Sequence, residues 1–230
     1  MTVLHLADEG EAADLAAFLS RLLHYDRSAA VRLQAAGTAL AVFGRPPSFE
    51  VLAIRAVRLA KPYENGLDVT LDVTVSAGEL LESVDEAAGT AVVPAAVTGP
   101  PWAGVLPPRG GWRREAALPA PGELQAMVGA AVAEFRSRTQ ELAPEQRTRA
   151  ELDRIGREIW SRTVGDTRLP VRALHAAQSL GFLRVRGGTQ APDAAHLALF
   201  SSGAWLRLRT PYGSIAVRRA GLGALDVSVR

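Results

Sequence analysis

The chain has no cysteine and only one lysine, Lys61. Without thiols, disulfides, zinc–thiolate sites, iron–sulfur clusters and cysteine nucleophiles are excluded, and a reducing cytoplasm is the natural setting. A P-loop or Schiff-base lysine could only be Lys61, which lies in Ala60-Lys61-Pro62-Tyr63 with no glycine-rich loop before it. The four histidines, His5, His24, His175 and His196, stand singly. No His-x-x-x-His or His-Glu-x-x-His spacing exists, so no metal site is expected. No Gly-x-Gly-x-x-Gly follows a strand, Gly221-Leu222-Gly223 leads into no helix, and no cofactor is expected. No apolar run approaches the roughly 20 residues of a membrane span. Met1 to Gly10 lacks the basic and apolar regions of a secretory signal. The expectation is a cytoplasmic protein with no membrane association and no catalytic residue.

With 48% hydrophobic and 22% charged residues, the 230-residue chain has ample material for a core and suits one large domain or two small ones. Its charge is lopsided. Residues 1–120 carry ten basic and fourteen acidic side chains and residues 121–230 sixteen basic and ten acidic, so nets of −4 and +6 make up the overall +2. From Arg168 to Arg230 nine arginines stand against two acids, Asp193 and Asp226. A basic end of this kind attracts polyanions or an acidic protein surface. Arginine in place of lysine fits the codon bias of a high-GC genome. Position on a surface, not abundance, must therefore carry any claim for bidentate anion contacts.

Asp8 with Glu11 reads as a capping box, and Leu15, Phe18, Leu19 and Leu22 predict an amphipathic helix to about Leu23. Strands follow at Val31 to Ala35, at Thr38 to Phe43 beyond a turn at Gly37, and at Phe49 to Leu59 beyond Gly44-Arg45-Pro46-Pro47-Ser48. In Leu67 to Val75 the alternation is strict, which predicts an antiparallel sheet covered on one face and wet on the other. Arg55 and Arg58 are placed to pair with Asp68 or Asp72. Ser76 and Glu79 cap a short helix holding Leu80, Leu81 and Val84. Residues 94–121 are rich in Pro and Gly and include Trp102 and Trp112; they read as an extended, partly docked connection or a polyproline-like binding segment.

Pro121 opens a helix to about Glu141, with Leu124, Val128, Ala131 and Phe135 on one stripe. A second helix spans 145–164 on Leu152, Ile155 and Ile159, and Thr167 caps a third over 169–180. Strands at His196 to Phe200, Ala204 to Arg209, Ser214 to Arg219 and Leu225 to Val229 close the chain. The expected fold is α+β: an N-terminal helix, an antiparallel β-meander, a Pro-rich crossover, three helices and a C-terminal β-hairpin. It divides into 1–93, 94–121 and 122–230, or forms one continuous domain if the last strands join the first sheet.

Thr210-Pro211-Tyr212-Gly213 has the pattern of a type I turn. The register it sets opposes Arg209 to Ser214, Arg207 to Ala216 and Trp205 to Arg218, with Leu206, Leu208, Ile215 and Val217 on the buried side. Trp205, Arg207, Arg209 and Arg218 then share a wet face, where guanidinium and indole groups can stack bases and neutralise phosphates. A solvated strand face in an arginine-rich chain explains the same pattern. A second candidate is a small-molecule or catalytic pocket around His24, Tyr25 and Asp26, with His24 as a base oriented by Asp26; capping of the helix end accounts for the same residues. A third is a protein-interaction scaffold on the Trp102 to Trp112 segment.

The order helix 145–164, turn at Gly165, helix 169–180, Leu183-Arg184-Val185-Arg186-Gly187-Gly188 and strand resembles a winged helix-turn-helix over residues 145–219. The resemblance implies that Arg172, His175 and Ser179 face a DNA groove and that Arg184 and Arg186 belong to the wing. The run from Arg209 to Val217 is similar to EspG-type secretion chaperones, and the Ala/Arg-biased stretch from His24 to Leu33 resembles uncharacterised actinobacterial proteins. The leading expectation is a non-enzymatic binding or regulatory protein whose basic C-terminal surface engages nucleic acid or an acidic protein.

Overall fold

The computed structural model describes residues 2–60, 71–102, 105–184 and 197–219. Asp8 begins the first helix, α1 (Glu9–Tyr25), by accepting a hydrogen bond from the N–H of Glu11 at 2.8 Å. The capping box is only half built. The Glu11 carboxylate accepts from Arg55 and Arg58, at 2.8 and 2.9 Å, in place of the Asp8 backbone. Before α1, β1 (Val3–His5) belongs to a small antiparallel sheet with β6 (Val84–Asp85) and β7 (Thr90–Val92).

After α1 the meander β2 (Ala30–Ala36), β3 (Ala39–Gly44), β4 (Leu52–Arg58) and β5 (Leu71–Ser76) follows the alternation of the sequence, and α2 (Ala77–Glu82) follows β5. The third strand begins at Leu52, not Phe49. Pro47 to Phe49 form a single 3-10 turn, and Glu50 takes a left-handed conformation with φ of 52°. Adjacent prolines supply no backbone donors, so pairing cannot start there. Asp68 and the expected strand residues 67–70 lie outside the described residues, as do Lys61, Arg186, His196 and the expected strand at Leu225 to Val229.

The C-terminal strands are β8 (Arg113–Arg114), β9 (Ala198–Ser202), β10 (Trp205–Thr210) and β11 (Gly213–Arg218). The main sheet is antiparallel throughout, in the order β5-β2-β3-β4-β11-β10-β9-β8. Its central pairing is β4 with β11, where Leu52, Ala53 and Ile54 meet Ala216, Ile215 and Ser214. Strands from both sides of residues 94–121 therefore share one sheet. The order also decides the ion pairs. Because β5 pairs with β2, Asp72 takes Arg32 at 2.7 Å and Gln34 at 3.1 Å. Arg55 and Arg58, separated from β5 by two strands, turn to α1 and do not reach Asp72.

One face of the sheet is covered by helices. α1 packs on β4 and α2; α5 (Val171–Ser179) packs on β11, and α3 (Pro121–Glu141) and α4 (Arg149–Trp160) pack on α5. Leu15, Phe18, Leu19 and Leu22 meet Val31, Leu33, Leu208 and Ile215 in this core, each buried apolar side chain contributing about 1.5–3 kcal/mol. α3 has its expected length, but its two successors are shorter than 145–164 and 169–180. Thr148 caps α4 after a 3-10 turn at Pro144–Gln146, and α4 ends at Trp160. Thr167 caps no helix: its hydroxyl donates to the Val164 carbonyl and accepts from the Leu169 N–H, closing a tight buried turn before Pro170. Gly213 is required by packing, since a Cβ there would lie 2.6 Å from the Phe182 ring.

The second face is not wet along β4, β11 and β10. Trp102 is buried against it, its Nε1–H donating to Thr74 Oγ1 at 3.0 Å, and it packs with Phe43, Leu52, Ile54, Trp205 and Ala216. Strict alternation fails here because the Pro-rich connection supplies a second apolar layer.

Arg55 lies between the helical layer and the hairpin turn, donating to Tyr212 O at 2.8 Å, Glu11 at 2.8 Å and Asp14 at 3.3 Å; its side chain is 6% exposed. Arg55→Ala is expected to destabilise the fold by about 3 kcal/mol, because it removes the charged hydrogen bonds to Tyr212 O, Glu11 and Asp14 and leaves the partly buried Tyr212 carbonyl without that donor. Arg55→Met combined with Glu11→Leu is expected to recover most of that in denaturant unfolding. A loss below about 0.5 kcal/mol for Arg55→Ala contradicts this role for the charge.

α3 and α4 are joined by Arg138–Glu158 at 2.7 Å and Arg162–Glu134 at 2.5 Å. Arg138 holds the Glu158 carboxyl down to about 2, while Arg162 and Arg154 lower those of Glu134 and Glu151. A carboxylate depressed in the folded state stabilises above its unfolded value, near 4.3, and that contribution is lost as pH falls through the folded value. The α3–α4 signals in NMR are therefore expected to broaden or shift between about pH 5 and about pH 2, less so in Glu158→Gln. Identical profiles for both proteins contradict the coupling.

Candidate functional site

Residues paired directly across antiparallel strands point to the same face. Arg114 pairs with Phe200, Phe200 with Arg207 and Arg207 with Ala216; Trp205 pairs with Ser202 and Arg218, and Arg209 with Ser214. This register is the one that the Thr210–Gly213 turn predicts. It gathers Arg114, Arg207, Arg209 and Arg218 on the face opposite the helices. Their guanidinium groups lie near rings: Arg207 6.0 Å from Trp112, Arg209 5.8 Å from Phe200 and Arg218 5.4 Å from Trp205.

The face differs from the expected one in a specific way. Trp205 is 8% exposed and belongs to the apolar layer under Trp102, so its indole is no open stacking platform. Arg114, Arg209 and Arg218 are exposed, and Arg207 is partly buried between Trp112 and Arg209. Its Nε is buried without a hydrogen-bond partner. Burial, with the neighbouring Arg209 added, holds the Arg207 guanidinium below its ordinary value.

Carboxylates compensate several of the protein's other arginines. Arg32 meets Asp72, Arg55 meets Glu11 and Asp14, Arg58 meets Asp8 and Glu11, Arg154 meets Glu151, and Arg184 meets Asp14. Among the described residues, no carboxylate lies within 4.0 Å of Arg114, Arg207, Arg209 or Arg218. The arrangement can receive an anion. Sequence reasoning did not place Arg114, Trp112 and Phe200 on this face: a two-residue edge strand has no periodicity, and only the pairing of β8 with β9 brings Arg114 beside Phe200.

The remaining candidates scatter. Arg184 is engaged by Asp14 and lies 3.9 Å over the Tyr212 ring. α5 buries Val171, Ala173, Leu174, Ala176 and Ala177, so Arg172, His175 and Ser179 form no open face for a DNA groove. Arg172 and His175 instead line a groove facing the Pro47–Glu50 turn, and Tyr25 lines it too. His24 is exposed and Asp26 is not its partner, since the Asp26 carboxylate accepts from the backbone and hydroxyl of Ser28 at 2.9 and 2.8 Å. Helix termination thus uses the acid that a catalytic dyad would need. Trp112 Nε1 donates to Pro108 O at 3.0 Å, so both indoles of the connection are engaged within the fold. Among the described residues no three His, Asp or Glu side chains cluster to hold a metal, and no helix is long and apolar enough to cross a membrane.

Two family models match the chain in succession: residues 1–104 match a domain of unknown function (DUF8010), and residues 107–222 match another domain of unknown function (DUF8185). No curated protein and no solved structure matches it. The boundary between the two matches falls in the Pro-rich connection, yet β4 and β11 pair across it. All four arginines of the sheet face lie in the second segment, which spans half of the chain, and the chain belongs to the DUF8185 family.

Proposed function

We propose that this is a non-enzymatic binding protein whose arginine-bearing sheet face engages a polyanion, with single-stranded nucleic acid the partner favoured by the side chains. The carrying observation is convergence without compensation. Arg32, Arg55, Arg58 and Arg154 each meet a carboxylate, whereas Arg114, Arg207, Arg209 and Arg218 gather on one sheet face without one among the described residues. An uncompensated, partly desolvated guanidinium is costly unless an anion completes it. A flexible strand can bring phosphates to the exposed arginines and a base to Phe200 and Trp112. An acidic protein surface is the other partner such charge attracts. The lack of cysteine is compatible with action in the cytoplasm.

Fluorescence anisotropy with a labelled single-stranded oligonucleotide tests this reading. Neutralising three or four phosphates gives a slope of log affinity against log salt of about −2 to −3. Replacing Arg207, Arg209 and Arg218 together by Ala is expected to remove most of that slope. Tighter binding to an acidic polyglutamate peptide redirects the reading to a protein partner. Binding to neither at low salt, or unchanged binding by the triple variant, ends it. Arg207→Met is expected to melt at the same temperature or higher, because it removes a desolvated charge; a lower melting temperature marks Arg207 as structural.

A further inference from the structure

A groove of about 880 Å³ opens between the Pro47–Glu50 turn and helices α3, α4 and α5, on the helical side of the sheet and away from the arginine face. Its wall is aromatic. The Trp160 indole and the His175 imidazole stack at 4.6 Å with planes 19° apart, and Phe49 meets His175 edge-on at 5.2 Å. Its rim is cationic, with Arg136, Arg149, Arg157 and Arg172 against Glu50 and Asp153. Arg149 is 3.8 Å from Asp153, and Arg172 comes only within 3.9 Å of Glu50. Among the described residues, Arg136 and Arg157 have no carboxylate within 4.0 Å. Arg172 Nε is buried without a hydrogen-bond partner. Burial also lowers the proton affinity of His175, which leaves it a neutral stacking partner near neutral pH.

Gly156 adds an independent observation. It lies inside α4, where glycine costs about 1 kcal/mol relative to alanine. Its backbone is not left-handed, and a Cβ would meet Trp160 Cδ1 at 3.4 Å and Phe135 Cε2 at 3.7 Å, ordinary contact distances. Neither conformation nor crowding demands glycine there. Its effect is to leave space beside Trp160 and Phe135, both of which line the groove.

We propose that this groove binds a small planar aromatic carboxylate, its ring against the Trp160–His175 stack and its carboxylate toward Arg172 and Arg157. The volume falls in the range of roughly 300–1,000 Å³ that suits a small organic ligand. A guanidinium fork matches a planar carboxylate, and the excess of arginine over acid at the rim selects the anion.

The test is calorimetric titration of the full chain with 2-naphthoate, alongside 2-naphthamide (same ring, no charge) and cyclohexanecarboxylate (same charge, no aromatic ring). Naphthoate is expected to bind at least about tenfold more tightly than either comparator, the loss of one charged hydrogen bond being about ten- to a hundredfold. Arg172→Gln is expected to weaken naphthoate but not naphthamide. Gly156→Ala keeps or raises the melting temperature while weakening naphthoate, which separates occlusion of the groove from unfolding. The triple variant of the sheet face retains naphthoate binding, so failure there and failure here are distinguishable. Absent naphthoate binding, equal binding of naphthamide, or full affinity in both Gly156→Ala and Arg172→Gln overturns the proposal.

Discussion

Arg55, on β4, stands where α1 and the hairpin turn meet, and its charge can be held away from water only because both supply acceptors. Glu11 and Asp14 come from the N-terminal helix, and the Tyr212 carbonyl comes from the turn between β10 and β11. Asp14 also receives Arg184, which covers the Tyr212 ring. A charge in this position is unfavourable in any arrangement that lacks one of these partners. It therefore couples the pairing of β4 with β11 to the seating of α1. The two family-matched segments meet through this polar junction as well as through backbone pairing and the shared apolar core.

With β4 and β11 joined, a single sheet has two differently covered faces. Helices bury one. On the other, Trp102 and its neighbours cover the middle of the sheet, leaving β8, β10 and β11 to carry exposed arginines beside a partly buried one. The apolar layer and the cationic strip are consecutive parts of one surface. Trp205 belongs to the former while its cross-strand partner Arg218 belongs to the latter. This juxtaposition lowers the local dielectric around the guanidinium groups and strengthens their attraction for anions.

Much of the architecture could be read from the residues. The Asp8 and Ser76 caps, the span of α3 and the register of the last hairpin follow from local chemistry: a side-chain acceptor near free N–H groups, a proline at a helix start, and a turn that dictates which residues face each other. The candidate site was legible in part, since Arg207 and Arg209 share a face by period two and the register of the hairpin turn adds Arg218. Arg114 and Phe200 join them only through strand pairing, and Arg172 and His175 leave the proposed DNA surface because α5 is buried on most of its circumference.

The sequence by itself determined the types of element, the hairpin register and the chemical exclusions that follow from having no cysteine and one lysine. Only the tertiary structure decided which arginines meet carboxylates. A charge pattern along the chain records composition, whereas compensation depends on distances of a few ångströms between segments as remote as Arg55 and Tyr212. Strand order sets those distances. By placing β5 beside β2 it gives Asp72 to Arg32, by placing β11 beside β4 it brings the Tyr212 carbonyl to Arg55, and it leaves the arginines of β8, β10 and β11 to face outward together.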